Sequence, residues 1–300
     1  MEERRVIDIV FARASGEGRP DDLPPPAKRQ IQLSPNIYLG RHTNELWEAV
    51  CKACIPPGYN FEPVRWLVQL YAFWNTSPAK PAECSWDPDQ SLAATVALSR
   101  LVHPNSIGFK YSARITLSSD DQIVQIVPGP VSGLLAHAFV IPGSYDWLND
   151  DDASALGRLC ESFVRCSSVL PPRLKRAFWN CEYAAALEWV DLRWGVVATA
   201  LESLVHTDRQ HSTRQFVDRV AALAERLIVE FTKDDARRAY GLRSSVAHGQ
   251  GFQSLDDETV ALYRRMETVL RCSIRQAIED AAFREIFMSD DTIRAEFPSI

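Results

Sequence analysis

Three hundred residues, 46% hydrophobic and 24% charged with a net charge of −6, are enough for one large domain or two ordinary ones with a real core. Thirteen of the 33 basic and 16 of the 39 acidic residues lie in positions 1–150, which leaves 20 and 23 for the rest. Neither half is a polycation, so broad electrostatic capture of nucleic acid is excluded and any RNA contact must come from a local patch.

The opening residues, Met1 to Val6, contain no apolar run of signal-peptide length. No stretch approaches the roughly 18 apolar residues of a membrane span. Seven cysteines, an odd number, are scattered along the chain. The expectation is a cytoplasmic protein with reduced thiols and no membrane partner.

Residues 1–149 read as a mixed α/β region. Val6 to Phe11 is a short apolar run with strand character, and the Gly-, Pro- and Asp-rich residues 16–26 are a loop. Residues 31–39 suggest another extended piece. Asn44 to Cys54 is helical, with Leu46, Trp47, Val50 and Cys54 on one side. Val64 to Trp74 is a buried helix or strand, and the prolines between 78 and 88 break it. Leu92 to His103 is a helix that ends before Pro104. Phe109 to Leu117, Ile123 to Val127 and Leu134 to Ile141 read as strands.

Cys51 and Cys54 have the spacing of half a metal site, and Cys84 offers a third ligand. A structural zinc site wants a second close pair, and the chain has none, so no metal and no cofactor is expected. The two thiols are expected to pack as small apolar residues on their helix. Trp47, Trp66, Trp74 and Trp86 read as core in preference to base-stacking platforms. His42, His103 and His137 have no partners at ligand spacing.

Residues 150–300 read as an all-α antiparallel bundle, which makes the whole chain α+β. Asp150-Asp151-Asp152 places acids before a helix whose apolar stripe is Leu156, Leu159, Cys160, Phe163 and Val164. After Pro171-Pro172, Leu174 to Val205 reads as almost continuous helix, bent near Gly195. Ser212-Thr213-Arg214-Gln215 has the form of a capping box. Thr232 with Asp235 caps a helix running from Lys233 to His248. Residues 254–257 start a last long helix.

The motif of interest ends the helix before that one. On Lys233 to His248, Ser244 and His248 fall on one face, and Arg243 lies roughly 140° from His248 around the axis. Gly249 stands where a helix C-terminus wants glycine. An imidazole that titrates near neutrality, beside a permanent guanidinium, is suited to cutting a phosphodiester. The imidazole moves a proton and the guanidinium steadies charge on phosphorus.

Arg243-x-x-x-x-His248 resembles the R-x(4–6)-H motif of HEPN domains. The string Tyr240 to Gly249, YGLRSSVAHG, together with Ala200-Leu201-Glu202-Ser203-Leu204 at the end of a long helix, resembles the ApeA-like HEPN subgroup. The resemblance covers residues 150–285. It implies a metal-independent endoribonuclease of anti-phage defence that works as a homodimer on RNA and leaves a 2′,3′-cyclic phosphate.

Arg243 and His248 would then be catalytic, with Ser244, Glu202 and Tyr240 in support and Arg237 and Arg238 as an RNA-binding patch. Glu202 would orient Arg243 or His248 from a neighbouring helix. Ser244 departs from the Asn, Asp or His often found after the arginine in active members. The alternative is a non-catalytic HEPN module that binds RNA, nucleotide or a protein partner. Residues 1–149 would be the sensing or regulatory region, with a phage-derived or regulatory ligand. A small-molecule enzyme centred there ranks last, because the sequence offers no phosphate loop, nucleophile elbow or paired metal motif.

Overall fold

A computed structural model of the chain describes residues 5–11, 30–41, 44–54, 71–76, 92–105, 112–129, 147–187, 189–208, 210–250 and 256–299. The fold is α+β. Two compact units divide it, Met1–Arg165 and Cys166–Ile300. The division at 165/166 falls in the last turn of the helix that starts at Asp150.

The first unit contains a six-stranded antiparallel sheet in the order β2-β3-β4-β1-β5-β6. Its strands are β1 (Arg5–Phe11), β2 (Ile31–Gln32), β3 (Ile37–Arg41), β4 (Tyr71–Asn75), β5 (Ser112–Leu117) and β6 (Ile123–Pro128). The period of two decides what each face does. Ile7 and Ile9 of β1 join Ala113, Ile115 and Leu117 of β5 and Val50 in one buried cluster. Asp8, between the two isoleucines, is the register partner of Arg114 and holds its guanidinium through two hydrogen bonds of 2.7 and 2.8 Å. That pairing raises the Arg114 pKa against the opposing effect of burial.

Helix α1 (Asn44–Cys54) lays Leu46, Trp47 and Cys54 on the same cluster. Cys51 is fully buried and burial pushes its thiol up, while Cys54 donates to the Ser112 carbonyl at 3.4 Å. The pair therefore packs as core, as small apolar residues do. Helix α2 (Leu92–Val102) is buried on every residue but Ala93 and Val102, as a helix apolar on most sides must be, and packs on β1 and β4. Helix α3 (Asp150–Cys166) is capped by Asn149, whose side chain accepts from the backbone N–H groups of Asp151 and Asp152. The acids expected before this helix instead form its first turn. Of the other expected pieces, 16–26, 64–70, 78–88 and 134–141 lie outside the described residues, as do Cys84, Trp66, Trp86, His42 and His137.

The second unit is helical: α4 (Pro172–Ala186), α5 (Val190–Val205), α6 (Ser212–Arg226), α7 (Lys233–Ala247), α8 (Asp257–Glu279), α9 (Ala281–Glu285) and α10 (Asp290–Glu296), with a 3-10 turn at Ile286–Met288. Helix α5 is central and packs against α4, α6, α7 and α8. Its Trp194 is fully buried. The indole N–H donates to the Ala239 carbonyl of α7 at 2.9 Å, and the ring lies 5.8 Å from that of Tyr263 in α8. One side chain thus ties three helices, with its polar atom satisfied.

Two expectations change here. The helix read as continuous from Leu174 to Val205 breaks between Ala186 and Val190, not near Gly195. Arg193, 1% exposed, turns back to donate to the Leu187 carbonyl, which the end of α4 leaves without a helical partner. Gly195 lies inside α5, where a Cβ would sit 3.9 Å from Val246 of α7. Ser212 and Gln215 do not form a capping box. His211 is the N-cap residue, and Gln215 instead reaches back to exchange two hydrogen bonds with Asp208. Helix α8 is the last long helix, and Asp280 and Ser289 cap two short ones after it. Among the described residues no helix is long and apolar enough to cross a membrane.

Candidate active site at the end of helix α7

Helix α7 begins with a true capping box. The Thr232 hydroxyl accepts from the Asp235 N–H, and the Asp235 carboxylate accepts from the Thr232 N–H. It ends on His248, with Gly249 at φ +75°. The N–H of Gln250 donates to Ser245 and that of Gly249 to Val246, a Schellman closure. Glycine is needed there because the left-handed region costs other residues.

Between these ends the buried face is Ala236, Ala239 and Tyr240, and Arg243 continues that stripe one turn further. Arg243 therefore turns towards the end of α5, where Glu202 waits. Its guanidinium donates to one Glu202 oxygen at 2.9 Å, with the two side chains only 28% and 18% exposed. The other oxygen accepts from the Thr207 hydroxyl at 3.1 Å and the Tyr240 phenol at 3.2 Å. Tyr240 is also 3.0 Å from the Ser212 hydroxyl. A phenol carries one proton, so when Tyr240 donates it to the carboxylate, the Ser212 hydroxyl donates to the phenol oxygen. The Arg243 guanidinium lies 5.4 Å from the centre of the Tyr240 ring, and Phe216 of α6 packs on that ring from 4.9 Å. Arg243 is thus held by charge, by hydrogen bonding and by an aromatic face.

His248 is arranged differently. It is exposed, and its ring has no hydrogen bond to any described residue. Ser244 is half-buried; its carbonyl accepts from the His248 N–H at 3.1 Å, and its hydroxyl bonds to no described residue. Arg237 pairs with Asp234 at 2.5 Å, and Arg238 pairs with Glu258. Both cations of the expected RNA-binding patch therefore have carboxylate partners. The fold brings together Arg243, Glu202 and Tyr240, and it leaves His248 at the open end of the same helix without a bond to any of them.

Thr207 and Ser212 complete this network without any signal in the sequence beyond being polar. A second polar cluster was equally silent. His206 closes α5 at φ +53°, a backbone region sparsely populated by residues other than glycine. Its Nδ1 is 3.2 Å from Asp290, and its Nε2 is 3.3 Å from Asp208 and 3.0 Å from the Arg294 guanidinium. Hydrogen bonding from Arg173 holds the Asp290 carboxyl below its usual range, and hydrogen bonding from Gln215 does the same for Asp208.

No family model, no curated protein and no solved structure matches this chain.

Proposed function

We propose that this chain is a metal-independent endoribonuclease of the HEPN type, acting as a cytoplasmic homodimer in anti-phage defence. The observation that carries the reading is the Glu202–Arg243 pair, 2.9 Å long and braced by Tyr240. A helix-borne arginine fixed in this way is a preorganised partner for charge that develops on phosphorus. His248 follows five residues later, roughly 7.5 Å along the axis. That separation suits two groups flanking a phosphodiester better than two groups bonded to each other.

In the reaction His248 takes the proton of a ribose 2′-hydroxyl. The 2′-oxygen bonds to phosphorus and the bond from phosphorus to the 5′-oxygen breaks. An acid protonates the departing oxygen, which leaves a 2′,3′-cyclic phosphate and a 5′-hydroxyl. One imidazole serves as base and a second, supplied by the other protomer, serves as acid. Arg243 neutralises the phosphoryl oxygens, and Ser244 offers a hydroxyl beside it.

A second reading, a HEPN module that binds RNA, nucleotide or a protein partner without cutting, is favoured by one observation. Arg237, Arg238 and Arg243 all have carboxylate partners, so little positive charge is left for a substrate. One experiment separates the two readings. RNA cleavage in EDTA is measured for the wild type and for Arg243→Ala and His248→Ala, with the mass in solution taken by light scattering. The nuclease reading expects losses of about 10²-fold or more in both variants. Equal activity in all three removes these residues from the mechanism, and tight RNA binding by inert dimers favours the module.

The first unit has its own recess of about 770 Å³, bordered by Arg5, Tyr38, Glu45, Thr76 and Asp121. A sensing role for residues 1–149 would place its ligand there.

A further inference from the structure

A recess of about 620 Å³ opens beside Glu202, between α4, α5 and the turn before α10. That volume is ordinary for a small-molecule site. Helix α5 contributes Thr199, Glu202, Ser203 and His206 to its wall, at the i, i+3, i+4 and i+7 spacing of one helical stripe. Helix α4 contributes Arg173 and Arg176.

Charge accounting leaves a surplus of donors. Glu202 is satisfied by Arg243, Thr207 and Tyr240. Asp290 is satisfied by Arg173 at 2.5 Å and faces the ring of His206. The imidazole stands between Asp290, Asp208 and Arg294 and is not free to serve a ligand. Arg176 remains. It is exposed and has no ion pair with any described residue, and the Thr199 and Ser203 hydroxyls one turn apart have no hydrogen bond to a described residue either.

A full positive charge and two hydroxyls, coming from two helices, ask for an anion with acceptors pointing in several directions. A carboxylate offers two coplanar oxygens and fits a guanidinium fork alone. A phosphomonoester offers three terminal oxygens arranged tetrahedrally and up to two negative charges. Pro172 and Met288 give the recess an apolar lip for the carbon skeleton that such a group carries.

We propose that this recess is a binding site for a phosphomonoester of sugar-phosphate size, with Arg176 as its principal charge contact and Thr199 and Ser203 as hydrogen-bond donors. The ligand is either a free sugar phosphate or the phosphorylated end of a nucleic-acid chain. Its occupant would touch the wall that includes Glu202, the partner of Arg243. The proposal stands on the recess alone and does not require His248 to be catalytic.

The test is calorimetric titration of the full chain with ribose 5-phosphate, with ribose, and with a short 2′-O-methyl oligonucleotide in 5′-phosphorylated and 5′-hydroxyl forms. A phosphorylated probe should bind saturably and ribose should not. Arg176→Ala should weaken binding about tenfold or more, as loss of a charge-assisted contact does. Ser203→Ala should weaken it a few-fold, and Lys175→Ala, at the exposed neighbouring position, should leave it unchanged. Far-UV circular dichroism checks that each variant is folded. Binding of ribose 5-phosphate identifies a free metabolite as sufficient. Binding of the oligonucleotide only when it is 5′-phosphorylated identifies a chain end. The proposal is overturned by no saturable binding of any phosphorylated probe, by wild-type affinity in Arg176→Ala, or by equal binding of both oligonucleotides with none of ribose 5-phosphate.

Discussion

Asp235 performs two tasks with one carboxylate. One oxygen accepts from the backbone N–H and hydroxyl of Thr232, at 3.0 and 3.1 Å, and the other accepts from Arg265 of α8 at 2.7 Å. Burial alone would raise its pKa, but these bonds outweigh burial and hold it below the usual aspartate range. A depressed folded pKa contributes stability above the unfolded value of about 3.9, and that stability disappears as pH falls through the lower folded value. Asp235→Asn keeps the shape and removes the charge. It should cost about 1–2 kcal/mol at neutral pH. Urea titrations should show the gap between wild type and variant closing as the pH drops below the aspartate range. A gap that stays the same at every pH would mean that the charge of Asp235 does not matter.

At the scale of elements, a glycine inside α5 and a glycine just past the end of α7 should respond to alanine with opposite signs. Gly195 has helical surroundings and room, since its added Cβ would meet Val246 at 3.9 Å, an ordinary contact. Gly195→Ala should therefore stabilise by roughly 0.5–1 kcal/mol through helix propensity alone. Gly249 also has open space around it, but its φ of +75° is left-handed. Gly249→Ala should cost about 1–2 kcal/mol although nothing touches the new methyl group. Thermal unfolding of the two single variants checks the pair. Equal destabilisation would show that α5 and α7 pack more tightly at Gly195 than this geometry has it.

At the scale of the whole molecule, the division at 165/166 separates a sheet-based unit from a helical one. The helical unit has its own core, in which Trp194, Phe216, Tyr263, Phe287 and Phe297 are all essentially inaccessible. A fragment of residues 166–300 is therefore expected to be helical by circular dichroism and to unfold in one cooperative urea transition. A broad, featureless transition would show that this core is incomplete without residues 1–165.

Local chemistry is legible in the sequence. The bounds of α1, the Thr232–Asp235 cap and the Gly249 stop each depend on residues within a few positions of one another, so the pattern in the chain is the cause and can be read there. The partnership of Glu202 with Arg243 was legible only as an expectation, since 41 residues separate the two. What the sequence could not decide was where side chains go once helices meet. At the break after Ala186 a buried arginine turns back to a carbonyl, and Gln215 bonds to Asp208 in place of the expected capping box. The His206 cluster gathers Arg173, Asp208, Asp290 and Arg294 from separate segments. Such contacts follow from packing across the bundle, where competing hydrogen-bond partners lie equally near in space but far apart in the chain, and only the tertiary structure chooses among them.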